Sequence, residues 1–256
     1  MLSKTIVIGD IHGALQALKQ VLHKAGIQPL DTLIFLGDYV DGWSQSAGVI
    51  SFLIELQHSY SCVFLRGNHD AYCQQWLETG KADPNWIKNS GASTIDSYQQ
   101  LPNDLRQQHL HFFQQLRNYY IDPQNRLFVH AGYTAATGVT DEKNAYQLYW
   151  DRSLWEDTQY YWQAKRPNGP ARLALYKEVF IGHTPTLFSD CTFPMHLYNL
   201  WNLDTGAAYH GRLTALDADN GTFYQSDVVR WMYPQEAGRN KGKSAAFPLM
   251  SLYKRQ

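Results

Sequence analysis

The chain has 256 residues, 44% of them hydrophobic and 18% charged, with a net charge of −1. That composition supports a sizeable buried core and excludes wholesale disorder. The near-neutral balance gives no support to a nucleic-acid-binding surface. Three cysteines (Cys62, Cys73 and Cys191) are too few and too scattered for a disulfide framework or a Cys-based zinc site. They fit a reducing, cytoplasmic compartment. Thr5 to Ile8 is apolar, but Gly9-Asp10 ends the run far short of a signal-peptide core. No stretch reaches the roughly 18 consecutive apolar residues of a membrane span.

Thr5-Ile6-Val7-Ile8 reads as a buried strand. Leu15, Leu18, Val21 and Leu22 then share one helical face, with Gly26 as the stop. Thr32-Leu33-Ile34-Phe35-Leu36 is a second strand. Val49, Ile50, Leu53 and Leu56 mark a second amphipathic helix, and Cys62-Val63-Phe64-Leu65 a third strand. This β-α-β-α-β order implies a mainly parallel sheet with covering helices. Residues 103–118 read as another helix and Arg126-Leu127-Phe128-Val129 as a strand. Residues 140–178 are rich in aromatics, including Trp150, Trp155 and Trp162, and run out near Pro167-Asn168-Gly169-Pro170. Val179-Phe180-Ile181, Leu200-Trp201-Asn202-Leu203 and Arg212-Leu213-Thr214-Ala215-Leu216 supply later strands, which predicts a second sheet stacked on the first. The fold class is therefore α/β, an α+β sandwich of two mixed sheets with flanking helices. It forms one domain over 1–236. From Ala237 a basic tail (Arg239, Lys241, Lys243, Lys254, Arg255) with no acid is expected to be solvated or lightly docked.

The candidate chemistry sits at the strand ends. Strand one ends in Gly9-Asp10-Ile11-His12-Gly13, strand two in Gly37-Asp38-Tyr39-Val40-Asp41-Gly42, and strand three in Arg66-Gly67-Asn68-His69-Asp70. Two later strands end in His130-Ala131-Gly132 and Gly182-His183-Thr184. In open α/β sheets ligands bind at the carboxyl ends of strands. Carboxylates, imidazoles and an amide oxygen without a thiolate suit Mn²⁺, Fe²⁺ or Zn²⁺. Asp10 and His12 can chelate one ion from a turn, and Asp38 can bridge two. A two-metal site clamps the attacking and leaving oxygens of an in-line displacement, which is phosphoester chemistry.

Together GDIHG, GDYVDG, RGNHD, HAG and GHT resemble the PPP-type metallophosphoesterases, which include Ser/Thr protein phosphatases, the bacteriophage lambda phosphatase and bacterial diadenosine tetraphosphatases. The resemblance runs from Asp10 to about Leu216. It implies a calcineurin-like fold and two divalent ions, Mn²⁺ first and Fe or Zn as alternatives. Asp10, His12 and Asp38 would hold one, and Asp38, Asn68, His130 and His183 the other. It further implies that a metal-bridging hydroxide attacks phosphorus, that His69 is the general acid, and that Asp41 orients His69. Arg66 and, more weakly, Arg152 would grip the phosphate. The implied partner is a phosphorylated substrate, a phosphoprotein or a nucleotide, with no nucleic acid and no membrane involved.

Some positions depart from that pattern. Asp41 is followed by Gly42-Trp43 where many protein phosphatases have Arg-Gly, and Asp70 stands where many have Glu. His210 replaces the first Gly of a usual Gly-Gly pair and is expected at the surface. The first activity expected is phosphomonoester hydrolysis of Ser/Thr-phosphoprotein type. Cleavage of dinucleoside polyphosphates is the alternative, and a non-catalytic metal-binding scaffold is a third class. The 140–178 stretch reads either as core or as a lid that puts Arg152 and at least one of Trp150, Trp155 or Trp162 at the cleft mouth.

Overall fold

The computed structural model describes residues 3–240. Its first half runs β1 (Thr5–Ile8), α1 (Leu15–Ala25), β2 (Thr32–Phe35), α2 (Ser46–Leu56), β3 (Ser61–Phe64) and α3 (Asn68–Thr79). A short α4 (Pro84–Trp86), a π-helical turn (Ile87–Gly91) and α5 (Ala92–Tyr98) lead to α6 (Asn103–Gln114). Then come β4 (Tyr119–Ile121), β5 (Arg126–Val129), α7 (Gln147–Trp150), α8 (Ser153–Gln163) and β6 (Glu178–Ile181). β7 (Met195–Leu197), β8 (Leu200–Asn202), β9 (Thr214–Asp217), β10 (Phe223–Gln225) and α9 (Val229–Met232) complete the order.

These strands form two five-stranded sheets, ordered β10-β9-β1-β2-β3 and β4-β5-β6-β8-β7. β1, β2 and β3 pair in parallel, as the β-α-β-α-β order requires, while β9 and β10 add antiparallel edges. In the second sheet β5, β6 and β8 are parallel, flanked by antiparallel β4 and β7.

The alternation of side chains along a strand explains the layering. On β1, Ile6 and Ile8 join the core beneath α1 and α2, and Val7 faces the other way. On β5, Leu127 and Val129 pack under α8 while Phe128 faces inward. Val7, Ile34, Leu36, Val63, Phe128, Phe180 and Leu216 thus meet between the sheets. Phe128 and Phe180 stack there at 4.8 Å. Fully burying side chains of this size is worth about 1.5–3 kcal/mol each. Arg126, 1% exposed, ties the sheets together, reaching Asp122 at 2.6 Å and Asp219 at 2.7 Å. Both parallel sets point their carboxyl ends at one edge of the sandwich, so loops from both sheets converge there.

Candidate active site

The loops are fastened to one another by the chain's own hydrogen bonds. Ile11 and His12 both donate backbone N–H to the Asp38 carbonyl, at 3.0 and 2.9 Å, joining the first two strand-end loops. Asp70 joins the second to the third: its carboxylate accepts from the amides of Asp38 (2.7 Å), Tyr39 (2.9 Å) and Gly67 (2.9 Å). Burial and the neighbouring Asp38 push Asp70 up to about 7. Two glycines allow closest approach. A Cβ on Gly67 would lie 2.1 Å from Asp38 Oδ1, and one on Gly182 would lie 2.0 Å from Asp10 Oδ1. Asp10 Oδ2 accepts the His183 amide at 3.0 Å. His12, Asp38, Asp41 and His183 all take positive φ (52°, 52°, 72° and 67°), a strained backbone state that concentrates at functional sites.

At the centre is Asp38. Its Oδ2 lies 3.5 Å from His12 Nε2 and its Oδ1 3.5 Å from His130 Nε2. Asn68 Oδ1 lies 3.3 Å from His130 Nε2 and 3.0 Å from His183 Nδ1. Among the described residues two metal-competent groups stand out: His12, Asp38 and His69, and Asp38, His130 and His183, with ligand atoms within 4.8 Å of one another. His12 Nδ1 sits 3.1 Å from the Val40 carbonyl and His130 Nδ1 2.8 Å from the Leu36 carbonyl. Each contact takes Nδ1 as the donor and turns Nε2 inward, where it could ligate a cation in exchange for any proton it carries.

The electrostatics call for a cation. Burial raises Asp10 well above the carboxylate range, and Asp204 adds to the rise. Burial would raise Asp38 too, but His130, His69 and His12 hold it well below that range. Burial opposes charge on His130, yet Asp38 outweighs it and pushes the imidazole up to about 10. Burial lowers His12 and His183. Among the described residues, buried Asp10 Oδ1 and His183 Nε2 have no hydrogen-bond partner. Unpartnered buried ligand atoms around a shared carboxylate fit divalent ions, and the donor set of oxygen and imidazole fits the same group.

Beside this cluster, His69 Nδ1 lies 2.5 Å from Asp41 Oδ2, and His69 Nε2 lies 4.0 Å from Asp38 Oδ2. Asp41 is fully buried and also accepts from Trp86 Nε1 at 2.5 Å and from Thr94 Oγ1. Neither Trp86 nor Thr94 was singled out from sequence. They lie 45 and 53 positions beyond Asp41, on the irregular α4–α5 segment, where no spacing announces the contact.

The cleft over the cluster is lined by Asp38, Asn68, His69, Tyr72, Trp86, Asn89, Trp150, Arg152, His183, Pro185, Phe188, Asp204, Tyr209 and Arg239. Arg152 and Trp150 are therefore at the cleft, with Arg152 donating to Thr184 Oγ1 at 2.8 Å. Trp155 is core at 2% exposure, and Trp162 is 53% exposed against Tyr198. Arg66 is absent from the lining: its guanidinium is drawn to Gln74 and to the Phe113 carbonyl, on the α3–α6 side. At the start of the basic tail Arg239 is docked: it lines the cleft, and its amide donates to the Ala208 carbonyl at 2.9 Å. Lys241, Lys243, Lys254 and Arg255 lie outside the described residues. His210 is exposed, as expected.

A two-sheet sandwich with a shared Asp between His-rich ligand groups defines a metallophosphoesterase, a phosphoric ester hydrolase. The calcineurin-like phosphoesterase family model matches residues 3–211, and the chain belongs to that family. The bis(5'-nucleosyl)-tetraphosphatase PrpE [asymmetrical] of Bacillus anthracis (strain CDC 684 / NRRL 3495) is 29% identical over 234 residues, covering 82% of this chain and 88% of that protein. Its counterpart in Bacillus thuringiensis (strain Al Hakam) is 28% identical with the same coverage. Among solved structures, a protein serine/threonine phosphatase from Saccharomyces cerevisiae with similarity to human phosphatase PP5 superposes with a TM-score of 0.59 at 15% identity, covering 88% of this chain and 80% of that one. At that identity the likeness bears on the fold alone. No helix among the described residues is long and apolar enough to cross a membrane.

Proposed function

We propose that the chain hydrolyses phosphoanhydrides of dinucleoside polyphosphates. The carrying observation is the cleft wall: Tyr72, Trp150, Phe188 and Tyr209 surround the ligand groups together with Arg152. Rings beside a phosphate-binding cation suit a substrate whose phosphates end in nucleobases, since aromatic side chains stack on any base face. A neighbouring groove lined by Tyr146 and Tyr149 shares Asn68, Tyr72 and Trp150 with the cleft and offers room for a second base. The names of the Bacillus relatives support the same reading. Phosphoprotein hydrolysis, the first expectation from the motifs, is supported only by that resemblance.

In this reading Asp10, His12 and Asp38 hold one cation and Asp38, Asn68, His130 and His183 the other, with Mn²⁺ ahead of Fe or Zn. Bound there, divalent ions would supply a nucleophile at neutral pH and positive charge facing the phosphoryl oxygens. Arg152 holds those oxygens in place. His69 gives its Nε2 proton to the leaving oxygen, and Asp41 keeps the ring aimed by accepting from Nδ1. Both sheets belong to one catalytic domain, since Asp38 comes from one and His130 from the other. Free Cys62, Cys73 and Cys191 support a reducing, cytoplasmic setting.

The test is a comparison of kcat/KM on diadenosine tetraphosphate, a phosphoserine peptide and p-nitrophenyl phosphate with Mn²⁺ present. The dinucleotide is expected to lead. A phosphopeptide value above it overturns the substrate assignment.

A further inference from the structure

We infer that Arg239, delivered by the C-terminal segment, is a phosphate-binding residue of the metal cleft, seated over the backbone of Gly42. The inference rests on the phosphoesterase chemistry of that site and not on which phosphate compound is the substrate.

The segment leading to Arg239 is held by specific anchors. Tyr233 stacks on Trp43 with ring centroids 5.2 Å apart, and its hydroxyl donates to Gln45 Oε1 at 2.5 Å. Glu236 accepts from the amide and hydroxyl of Ser44, at 2.8 and 2.6 Å. Gly238 has φ +57°, and a Cβ there would lie 2.7 Å from the Trp43 ring and 2.8 Å from the Ala208 carbonyl oxygen. Only glycine allows the chain to pass that close. These contacts fix the backbone beside the loop that carries Asp41.

The side chain then passes beside Gly42. Gly42 has φ +105°, and a Cβ added to it would lie 3.6 Å from Arg239 Cγ. Gly42 is also where the expected Asp-Arg pattern fails, so the cation missing from the strand-end loop arrives from a segment almost 200 positions later. The guanidinium lies 5.4 Å from the Tyr209 ring and lines the cleft with Asp38, His69, His183 and Arg152.

Among the described residues, no carboxylate forms an ion pair with Arg239. A guanidinium that lines this cleft beside groups that would hold divalent ions, with Asp204 in the same lining but no carboxylate of the described residues at ion-pair distance, matches an anionic ligand. Its planar array of N–H donors suits phosphoryl oxygens. Arg152 enters from the α7–α8 junction and Arg239 from the C-terminal segment, so the two reach the phosphate from independent elements.

The test uses the full-length, metal-loaded protein with Arg239→Gln and Arg239→Lys. Inorganic phosphate is the binding probe, followed by calorimetry, and p-nitrophenyl phosphate is the substrate. Losing a charged hydrogen bond should weaken phosphate binding and lower kcat/KM by about 10- to 100-fold in Arg239→Gln, with partial recovery in Arg239→Lys. Metal content and melting temperature should match wild type. Unchanged phosphate affinity in Arg239→Gln overturns the inference. So does weakening accompanied by lost metal or a lower melting temperature, which would make the residue structural. A wild type that neither binds phosphate nor turns over the aryl ester overturns the phosphoesterase reading as well.

Discussion

Asp41 is fully buried, and among the described residues no Arg or Lys pairs with it. Its carboxylate is held by His69 Nδ1, Trp86 Nε1 and Thr94 Oγ1. Burial removes water from a carboxylate, and donors on both oxygens offset that loss. They also fix where the carboxylate points, and so where the His69 ring points. Replacing His69 by Asn should leave both metals in place and cut turnover of alkyl phosphates by about 10²–10⁴-fold. The loss should be smaller for p-nitrophenyl phosphate, whose leaving group needs less protonation. Asp41→Asn should cost less, about 10–100-fold. Equal losses on both leaving groups in His69→Asn would count against proton donation. Metal content by elemental analysis separates this from ligand loss. At this scale the convergence of Asp38, His130 and His183 and the His69–Asp41 pair were legible because each sits in a loop at the end of an apolar run. Trp86, Thr94 and Arg239 were not, since each reaches the site by tertiary packing across at least 45 residues and no local period encodes that. Arg66 was expected to grip phosphate from the resemblance alone, and its guanidinium is turned to Gln74 and the Phe113 carbonyl.

At the scale of elements, α7 and α8 give three tryptophans three fates. Trp155 lies in the core under the second sheet with Leu127, Leu154 and Ile181. Trp162 is half-exposed, edge-on to Tyr198 at 5.5 Å. Trp150 meets His183 edge-on at 6.1 Å and stacks on Tyr146 at 5.3 Å. Helical spacing brings aromatics to one face, but only the position of the helix end relative to the metal loops decides which ring meets the substrate. Trp150→Ala should therefore raise KM for diadenosine tetraphosphate by roughly 5- to 150-fold, corresponding to about 1–3 kcal/mol of base stacking. It should leave p-nitrophenyl phosphate kinetics nearly unchanged, because that ester has no base to stack. Trp155→Ala should do the reverse, destabilising the fold by about 3–5 kcal/mol in urea denaturation. A Trp150→Ala variant that loses both substrates equally would mean that the ring supports His183 and does not hold a base. The buried strands were legible from their β-branched runs. The edge strands β4, β7 and β10 were not, since three residues each are too few to show a period of two.

Across the whole molecule, stacking two sheets with their strand ends at one edge gathers Asp10, Asp38, Asp41, Asp70 and Asp204 into a buried region. Folding therefore stabilises protons or cations there. Burial and Asp38 push Asp70 up to about 7, and burial pushes Asp204 up to about 6. Both groups would be deprotonated in the unfolded chain above about pH 4. In the metal-stripped protein the folded state then holds more protons than the unfolded state through the interval between those values. The stability linked to these protons is complete below about pH 4 and is lost as pH rises through 6 to 7. Divalent ions reverse the trend, because deprotonated ligands bind them more tightly and binding to the folded state alone adds stability, about 2.7 kcal/mol at a hundredfold excess over Kd. Chelator-treated protein should accordingly lose melting temperature between pH 5 and pH 8. Adding Mn²⁺ should raise the melting temperature more at pH 8 than at pH 5. Asp70→Asn should flatten the decline in the stripped protein, since it removes the group titrating near 7, and lower stability at every pH, since its one carbonyl oxygen can replace only the acceptor of Asp38 and Gly67 and its NH2 faces the Tyr39 amide. Calorimetric scans at the two pH values, with and without metal, decide the matter. A metal-induced gain of equal size at both would show that the buried carboxylates do not control the stability of this edge of the fold.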